Sequence, residues 1–150
     1  MKFRAADISE LEQLRVLEQK VVDAERPYNS SIREVGAYYY DLEYLISSDD
    51  ALMLVVEAEG IIVATGYARI RNSKQSLSHE FDSYLGFMYV SPNYRGKGLN
   101  KAVVEHLISW SKGKGVNDFY LDVYSENSAA IRAYIKAGFK SSIVEMKLSV

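Results

Sequence analysis

A single α/β domain with a central sheet flanked by helices is predicted by three observations. Hydrophobic periods of two and of about 3.6 residues alternate along the chain in the order β-α-α-β-β-β-α-β-α-β. One apolar strand, Tyr84 to Val90, runs through a glycine-punctuated turn straight into an amphipathic helix, within the stretch VSPNYRGKGLNK that ends at Lys101. The chain has 150 residues, 48% of them hydrophobic and 25% charged, with no linker, internal repeat or low-complexity tract. That is enough for one real core and too little for two ordinary ones.

Each element has its own local reason. Lys2 to Ala5 reads as a short first strand. Asp7 caps a helix, with Glu10 completing a capping-box pattern and Leu11, Leu14, Leu17 and Val21 forming the buried stripe. Pro27 stops it, and residues 26–31 form a loop. Val35, Tyr38, Tyr39, Leu42, Leu45 and Ile46 then share one face of a second helix. Ala51 to Ala58 and Ile61 to Ile70 flank Glu59-Gly60, the signal of an antiparallel hairpin. Residues 71–80 are polar and read as a loop. After the glycine turn, Leu99, Val103, His106, Leu107 and Trp110 mark a helix face that ends near Gly113 to Gly115. Phe119 to Tyr124 is the next strand, Asn127 caps a helix that stops at Gly138, and Phe139 to Leu148 supplies the last strand.

The glycine turn carries the chemistry. A helix N-terminus offers unpaired N–H groups and the positive end of the helix dipole, a ready seat for a phosphate. Gly96 and Gly98 let the backbone bend and approach a ligand closely, and Arg95, Lys97 and Lys101 add positive charge. The spacing excludes a Walker A, which needs Gly-Lys-Ser/Thr four residues after a first Gly. It also lacks a full G-x-G-x-x-G, because position 101 is Lys.

Arg95-Gly96-Lys97-Gly98-Leu99-Asn100 resembles motif A of the GNAT superfamily of N-acetyltransferases, Arg/Gln-x-x-Gly-x-Gly/Ala. Asn100 departs from it, standing where the pattern has a small residue. Its effect depends on whether its side chain points at the phosphates or outward. Asn127, Ala130, Tyr134, Gly138 and Phe139 resemble motif B, N-x-x-A-x-x-x-Y-x-x-x-G-F. Two motifs in the expected order are a far stronger signal than either alone.

The resemblance implies the GNAT fold over essentially the whole chain, residues 1–150, with a mixed, mostly antiparallel sheet. It implies acetyl transfer from acetyl-CoA, as acyl-donor cosubstrate and without a metal, to a primary amine of a small molecule or protein attacking directly in a ternary complex. The cofactor-binding set it implies is Met88, Tyr89 and Val90 for the pantetheine arm and thioester, Arg95, Gly96, Lys97, Gly98, Leu99, Asn100 and Lys101 for the pyrophosphate, and Asn127 and Tyr134 from motif B. It assigns Tyr134 to the leaving thiolate as general acid. The alternative for Tyr134 is core packing, since it shares a stripe with Ile131. Gly86 marks either a bulge that splays this strand from the next or a glycine merely tolerated there.

The base is open among several groups. Glu80 comes first and Asp82 second, with Asp122, Tyr124 and Glu126 nearby in sequence. On the acceptor side lie Asp23, Glu25, Asp41, Glu43, Asp49 and Asp50 beside Tyr38 to Tyr40. These suit a cationic amine, or equally a solvated helix face. Tyrosine is abundant, 12 of 150 residues.

Composition narrows the rest. No cysteine is present, so disulfides, a thiol nucleophile and a thiolate metal site are excluded. A net charge of −2 argues against a general nucleic-acid binder. The absence of a signal-peptide core or a membrane-length apolar run fits a cytoplasmic protein that needs no membrane. His79 and His106 are too few for a zinc site. The GNAT family is often dimeric, yet no apolar stripe stands out as an interface. A non-catalytic acyl-CoA-binding regulatory module on the same fold is the rival reading.

Overall fold

The computed structural model describes all 150 residues. Five strands form one sheet in sequence order: β1 (Lys2–Ala5), β2 (Ala51–Ala58), β3 (Ile61–Asn72), β4 (Phe81–Val90) and β5 (Phe119–Tyr120). β1 to β4 are antiparallel neighbours, and β5 joins β4 in parallel. That last pairing needs a crossover, supplied by α3 (Leu99–Gly113). α1 (Leu11–Glu25) and α2 (Leu42–Ser47) cover one face of the sheet, around Leu14, Leu42, Met53, Val55 and Phe87. α3 covers the other, around Val56, Leu85, Leu99, Val103 and Leu107. α4 (Ser128–Lys136) lies at the rim of this second cluster, touching it through Tyr134.

Three expected elements differ, the simplest being β5, which stops at Tyr120 rather than Tyr124. The second helix is only Leu42–Ser47, capped by the Asp41 side chain, which accepts from Tyr44 N. The reason lies in α1. Glu18 is fully buried, and its Oε2 accepts from the N–H groups of Tyr39 and Tyr40 at 2.7 and 2.8 Å. Gln19 donates to the Ala37 carbonyl, and Gly36 sits at φ +74°. Amides spent on a carboxylate cannot start a helical ladder. The last strand is also absent. Residues 139–150 have no regular structure, and 140–150 are exposed throughout.

β4 carries the feature that shapes the site. Thr65 pairs with Tyr89 and Tyr67 with Gly86, so Phe87 and Met88 together oppose Gly66. This is a β-bulge, with Phe87 at φ +52°. Strand parity changes there. Tyr84 faces the α1/α2 layer, as do Phe87 and Tyr89, while Leu85 faces α3 together with Met88 and Val90.

Gly66 lets α3 approach the sheet. A Cβ there would lie 2.5 Å from Val103 Cγ1 and 3.2 Å from Leu107 Cδ1, both core atoms. Gly66→Val is therefore expected to destabilise by about 1–3 kcal/mol through overpacking. The corresponding fall in Tm, roughly 3–10 °C, is measurable by calorimetry. An unchanged Tm would mean α3 is not held this close.

Candidate functional site

Beyond the bulge, β4 parts from its parallel neighbour. The β4–β5 ladder holds only Ser83↔Phe119 and Tyr84↔Tyr120, and residues 121–124 are no longer strand. A slot therefore opens along the C-terminal half of β4, beside Met88, Tyr89 and Val90. Thr65 Oγ1 donates to the Phe87 carbonyl at 2.7 Å and so pins the bulge. Gly86 is explained by both the bulge and a close approach: a Cβ on it would lie 2.6 Å from the Tyr67 ring.

The slot runs into the glycine turn. After Val90 come a 3₁₀ turn at Pro92–Tyr94, then Arg95, and then Gly96 and Gly98 at φ +74° and +78°. Gly98 is the N-cap of α3, so no side chain satisfies the first amides of this 15-residue helix. A cavity of about 160 Å³ opens there between Val90 and Tyr94 on one side and Gly96, Gly98 and Asn100 on the other. Arg95 Nε donates to the Val90 carbonyl at 2.9 Å and braces the turn. Lys97 Nζ sits 5.6 Å from the Tyr94 ring centroid, and Lys101 Nζ is 3.9 Å from Glu105 in an exposed pair. Open amides, the helix dipole and three cations give this turn the character that suits an anion.

Tyr134 reaches this region from α4, whose N-terminus is capped by Asn127 Oδ1 accepting from Ala130 N at 3.2 Å. Asn127 is thus engaged in its own helix. Tyr134 packs edge-on to Phe139, 5.9 Å between centroids. Burial pushes the Tyr134 hydroxyl above the ordinary tyrosine range, partly opposed by a hydrogen bond with Asn100. Asn100 is half-buried and turned toward Tyr134.

The two carboxylates favoured from sequence lie further off. Asp82 falls inside β4, since the strand begins at Phe81, and it is 2% exposed. Its oxygens are taken by Arg71 Nε at 2.5 Å and by Ser73 Oγ at 3.4 Å. Four residues of strand separate it from Gly86, about 13 Å. Glu80 is exposed, and its backbone carbonyl, accepting from Ser73 N, is the group that bonds. The structure brings neither next to the bulge. The nearby histidines are apart: His79 bonds Ser73 and Tyr120, while His106 stacks on Phe3 at 4.3 Å.

The α1/α2 side of the sheet beside the bulge is aromatic. Tyr40 stacks on Phe87 at 4.6 Å and meets Tyr67 edge-on at 5.7 Å. Tyr84 OH donates to Asp122 Oδ2 at 2.8 Å; burial and then this bond raise its pKa. Glu25, at the end of α1, has its carboxyl raised by burial, with Tyr39 pulling the other way. Its charge reaches Tyr40 and Tyr134. Sequence reasoning placed Glu25 only among acceptor-side charges. Nothing in the local pattern marks Tyr67 or the Tyr84–Asp122 pair, because both depend on strand register.

Comparison with known proteins agrees with this geometry. Residues 18–139 match the acetyltransferase (GNAT) family. A relative in Escherichia coli (strain K12), the ribosomal protein bS18 alanine N-acetyltransferase, is 38% identical over 55 residues, 37% of either chain. The chain thus matches about a third of that relative's length. A mutant of the BH1408 protein from Bacillus halodurans superposes with a TM-score of 0.88 at 21% identity, covering 100% of this chain and 99% of that one. The aminoglycoside N-acetyltransferase AAC(6')-Iy, solved in complex with CoA, gives 0.74 at 18% identity over 99% and 100%. With most of its length matched by that family's model, and the strand, glycine turn and helix disposed as described, the chain belongs to the acetyltransferase (GNAT) family.

Proposed function

We propose that residues 1–150 form one N-acetyltransferase domain that transfers the acetyl group of acetyl-CoA to a primary amine of a small molecule or a protein, by direct attack in a ternary complex. The observation that carries this is the uncapped N-terminus of α3, opened by Gly96 and Gly98 at the end of a slot between β4 and residues 121–124. A pyrophosphate suits the first, and a narrow acyl-pantetheine arm suits the second. When bound, the cosubstrate supplies a thioester as acyl donor. The amides of residues 98–101, with Arg95, Lys97 and Lys101, would hold its phosphates. Met88 to Val90 would line its arm.

The remaining work falls to side chains. Tyr134, kept protonated by burial, holds a proton for the departing thiolate. The amine loses its proton to a carboxylate, directly or through a hydroxyl. Asp122 is favoured over Glu80 and Asp82, because it accepts from the Tyr84 hydroxyl, whereas Asp82 is occupied by Arg71 and the Glu80 side chain makes no hydrogen bond. The tyrosines on the α1/α2 side would wall the amine. No helix is long and apolar enough to cross a membrane, and a cytoplasmic setting belongs to this proposal.

CoA and acetyl-CoA are each expected to raise the melting temperature by several degrees in a thermal-shift titration. Gly98→Val is expected to weaken CoA binding about tenfold. Its left-handed backbone costs a side chain of this kind roughly 1–2 kcal/mol, relieved only by turning the α3 amides away. Equal CoA affinity in the two proteins would remove the turn from the site. Because the chain has no cysteine, thiol released from acetyl-CoA with a panel of amines reports turnover without background. Binding without release would favour the regulatory module.

A further inference from the structure

α1 carries a charge in its apolar stripe. Its buried residues are Leu14, Leu17, Glu18 and Val22, so a carboxylate stands where helical spacing calls for another Leu or Val. Glu18 is 0% exposed. Taking a carboxylate out of water is costly unless hydrogen bonds replace the solvent. Here Oε2 accepts from the N–H groups of Tyr39 and Tyr40, at 2.7 and 2.8 Å. Oε1 has no hydrogen-bond partner, and Arg15 Nη1 stands 3.9 Å from it. All the hydrogen bonding of this side chain therefore goes to one stretch of backbone. An apolar residue would fill the same space at less cost, so what distinguishes the carboxylate is the segment it holds.

That segment delivers a ring to the bulge. Ala37, at its start, is fixed by Gln19, the next residue along α1, whose Nε2 donates to the Ala37 carbonyl at 2.9 Å. Tyr40 then lies nearly flat on Phe87, with 4.6 Å between centroids and 17° between planes. It meets Tyr67 edge-on at 5.7 Å, and Tyr67 in turn closes over Gly86. Phe87 is the residue at φ +52°, a backbone state that a bulky side chain holds only under constraint. Two constraints act on it: Thr65 Oγ1 bonds its carbonyl, and Tyr40 covers its ring. The first comes from the sheet. The second reaches back to Glu18.

We infer that Glu18 is a positioning residue for acetyl transfer: through the Tyr39 and Tyr40 amides it seats Tyr40 on Phe87 and so fixes the bulge beside the slot. Fully buried beneath residues 39–40, it acts through them and not by touching the reactants. The inference rests on the proposed transfer at Met88 to Val90, immediately beyond the bulge. A displaced bulge shifts those residues relative to the glycine turn, and small misplacements of reacting groups are costly in rate. The turn itself belongs to α3, on the opposite face of the sheet, and keeps its hold on the cosubstrate phosphates.

Glu18→Ala is expected to lower kcat about tenfold and to leave the Kd for CoA within a factor of about two. Glu18→Gln keeps an oxygen for both amides and loses no bond at Oε1, so kcat should return to within about threefold of wild type. Glu18→Asp draws the carboxylate back by one methylene and should act as alanine does, which covers an alanine variant that does not fold. Tyr40→Leu removes the contact through which Glu18 works. The double variant should therefore be no slower than the slower of the two single ones. Single effects that multiply, or a glutamine variant as impaired as the alanine one, would overturn the inference. A second readout needs no turnover. The ring NMR signals of Phe87, identified by Phe87→Leu, should move in Glu18→Ala or Glu18→Asp as they do in Tyr40→Leu, and stay in place in Glu18→Gln. These shifts in a protein without acetyl transfer would sink the proposed reaction and leave the seating of the bulge intact. Unmoved signals in an active enzyme would do the reverse.

Discussion

Tyr134→Phe is expected to lower kcat about a hundredfold, while the Kd for CoA stays within a factor of about two. The phenol ring packs against Phe139 at the rim of the α3 layer, and phenylalanine keeps that contact. What is lost is one proton donor, beside Asn100. Burial holds the Tyr134 hydroxyl above the ordinary tyrosine value near 10, so it remains protonated through neutral and mildly alkaline pH. The wild-type pH profile of kcat should therefore show no fall assignable to this group below about pH 10. Steady-state kinetics with a thiol reagent, paired with calorimetric CoA titration, separates the two effects. Turnover equal to that of the wild type would take Tyr134 out of the mechanism and return it to packing.

The second large effect is alkaline instability. Tyr40, Tyr67 and Tyr134 all have pKa values raised, chiefly by burial. Below about pH 10 both folded and unfolded chains keep these protons, and the shift contributes nothing to pH dependence. Above it the unfolded chain ionises first, so stability falls as pH rises toward the folded values. Each tyrosine can contribute at most about 1.4 kcal/mol per pH unit, or about 4 kcal/mol for the three. Against a total of roughly 5–15 kcal/mol, unfolding is expected within about one to four units above pH 10. Urea melts at pH 9, 10 and 10.5 should show a steady midpoint and then a steep drop. Tyr40→Phe should make that drop shallower by one tyrosine's share. A midpoint independent of pH over this range would mean that these rings are open to water.

The parts legible in the sequence are those fixed by neighbours in the chain. Gly96 and Gly98 announced a sharp turn, and there they take φ near +75°, which few other residues do. Asn127 announced its helix through a cap formed three residues away. The hairpin at Glu59-Gly60 and the apolar stripe of α3 are local in the same sense. Long-range partners were invisible. Residues 35–41 have helical spacing, yet Glu18, some twenty positions earlier, claims two of their amides. Asp82 read as a free carboxylate, and only the register with Arg71 shows it taken. The Tyr84–Asp122 bond joins β4 to the segment just after β5, its parallel neighbour, across a whole intervening helix. Residues 143–150 alternate as a strand should, but alternation does not supply the neighbouring strand a ladder needs.

The two-for-one mismatch opposite Gly66 has a consequence for how this chain can change over generations. Loss of one codon in a surface loop is usually harmless. Loss of one between Gly86 and Met88 would restore an unbroken ladder and keep every flanking side chain on its present face. It would also remove the local bend that the bulge gives β4. Loss of one elsewhere in β4, with the bulge kept, would turn residues over: either Asp82 and Tyr84 would be driven into the layer beneath α3, or Tyr89 would leave the layer of Tyr40. Drift in this lineage should accordingly substitute residues along β4 freely before it ever alters their number.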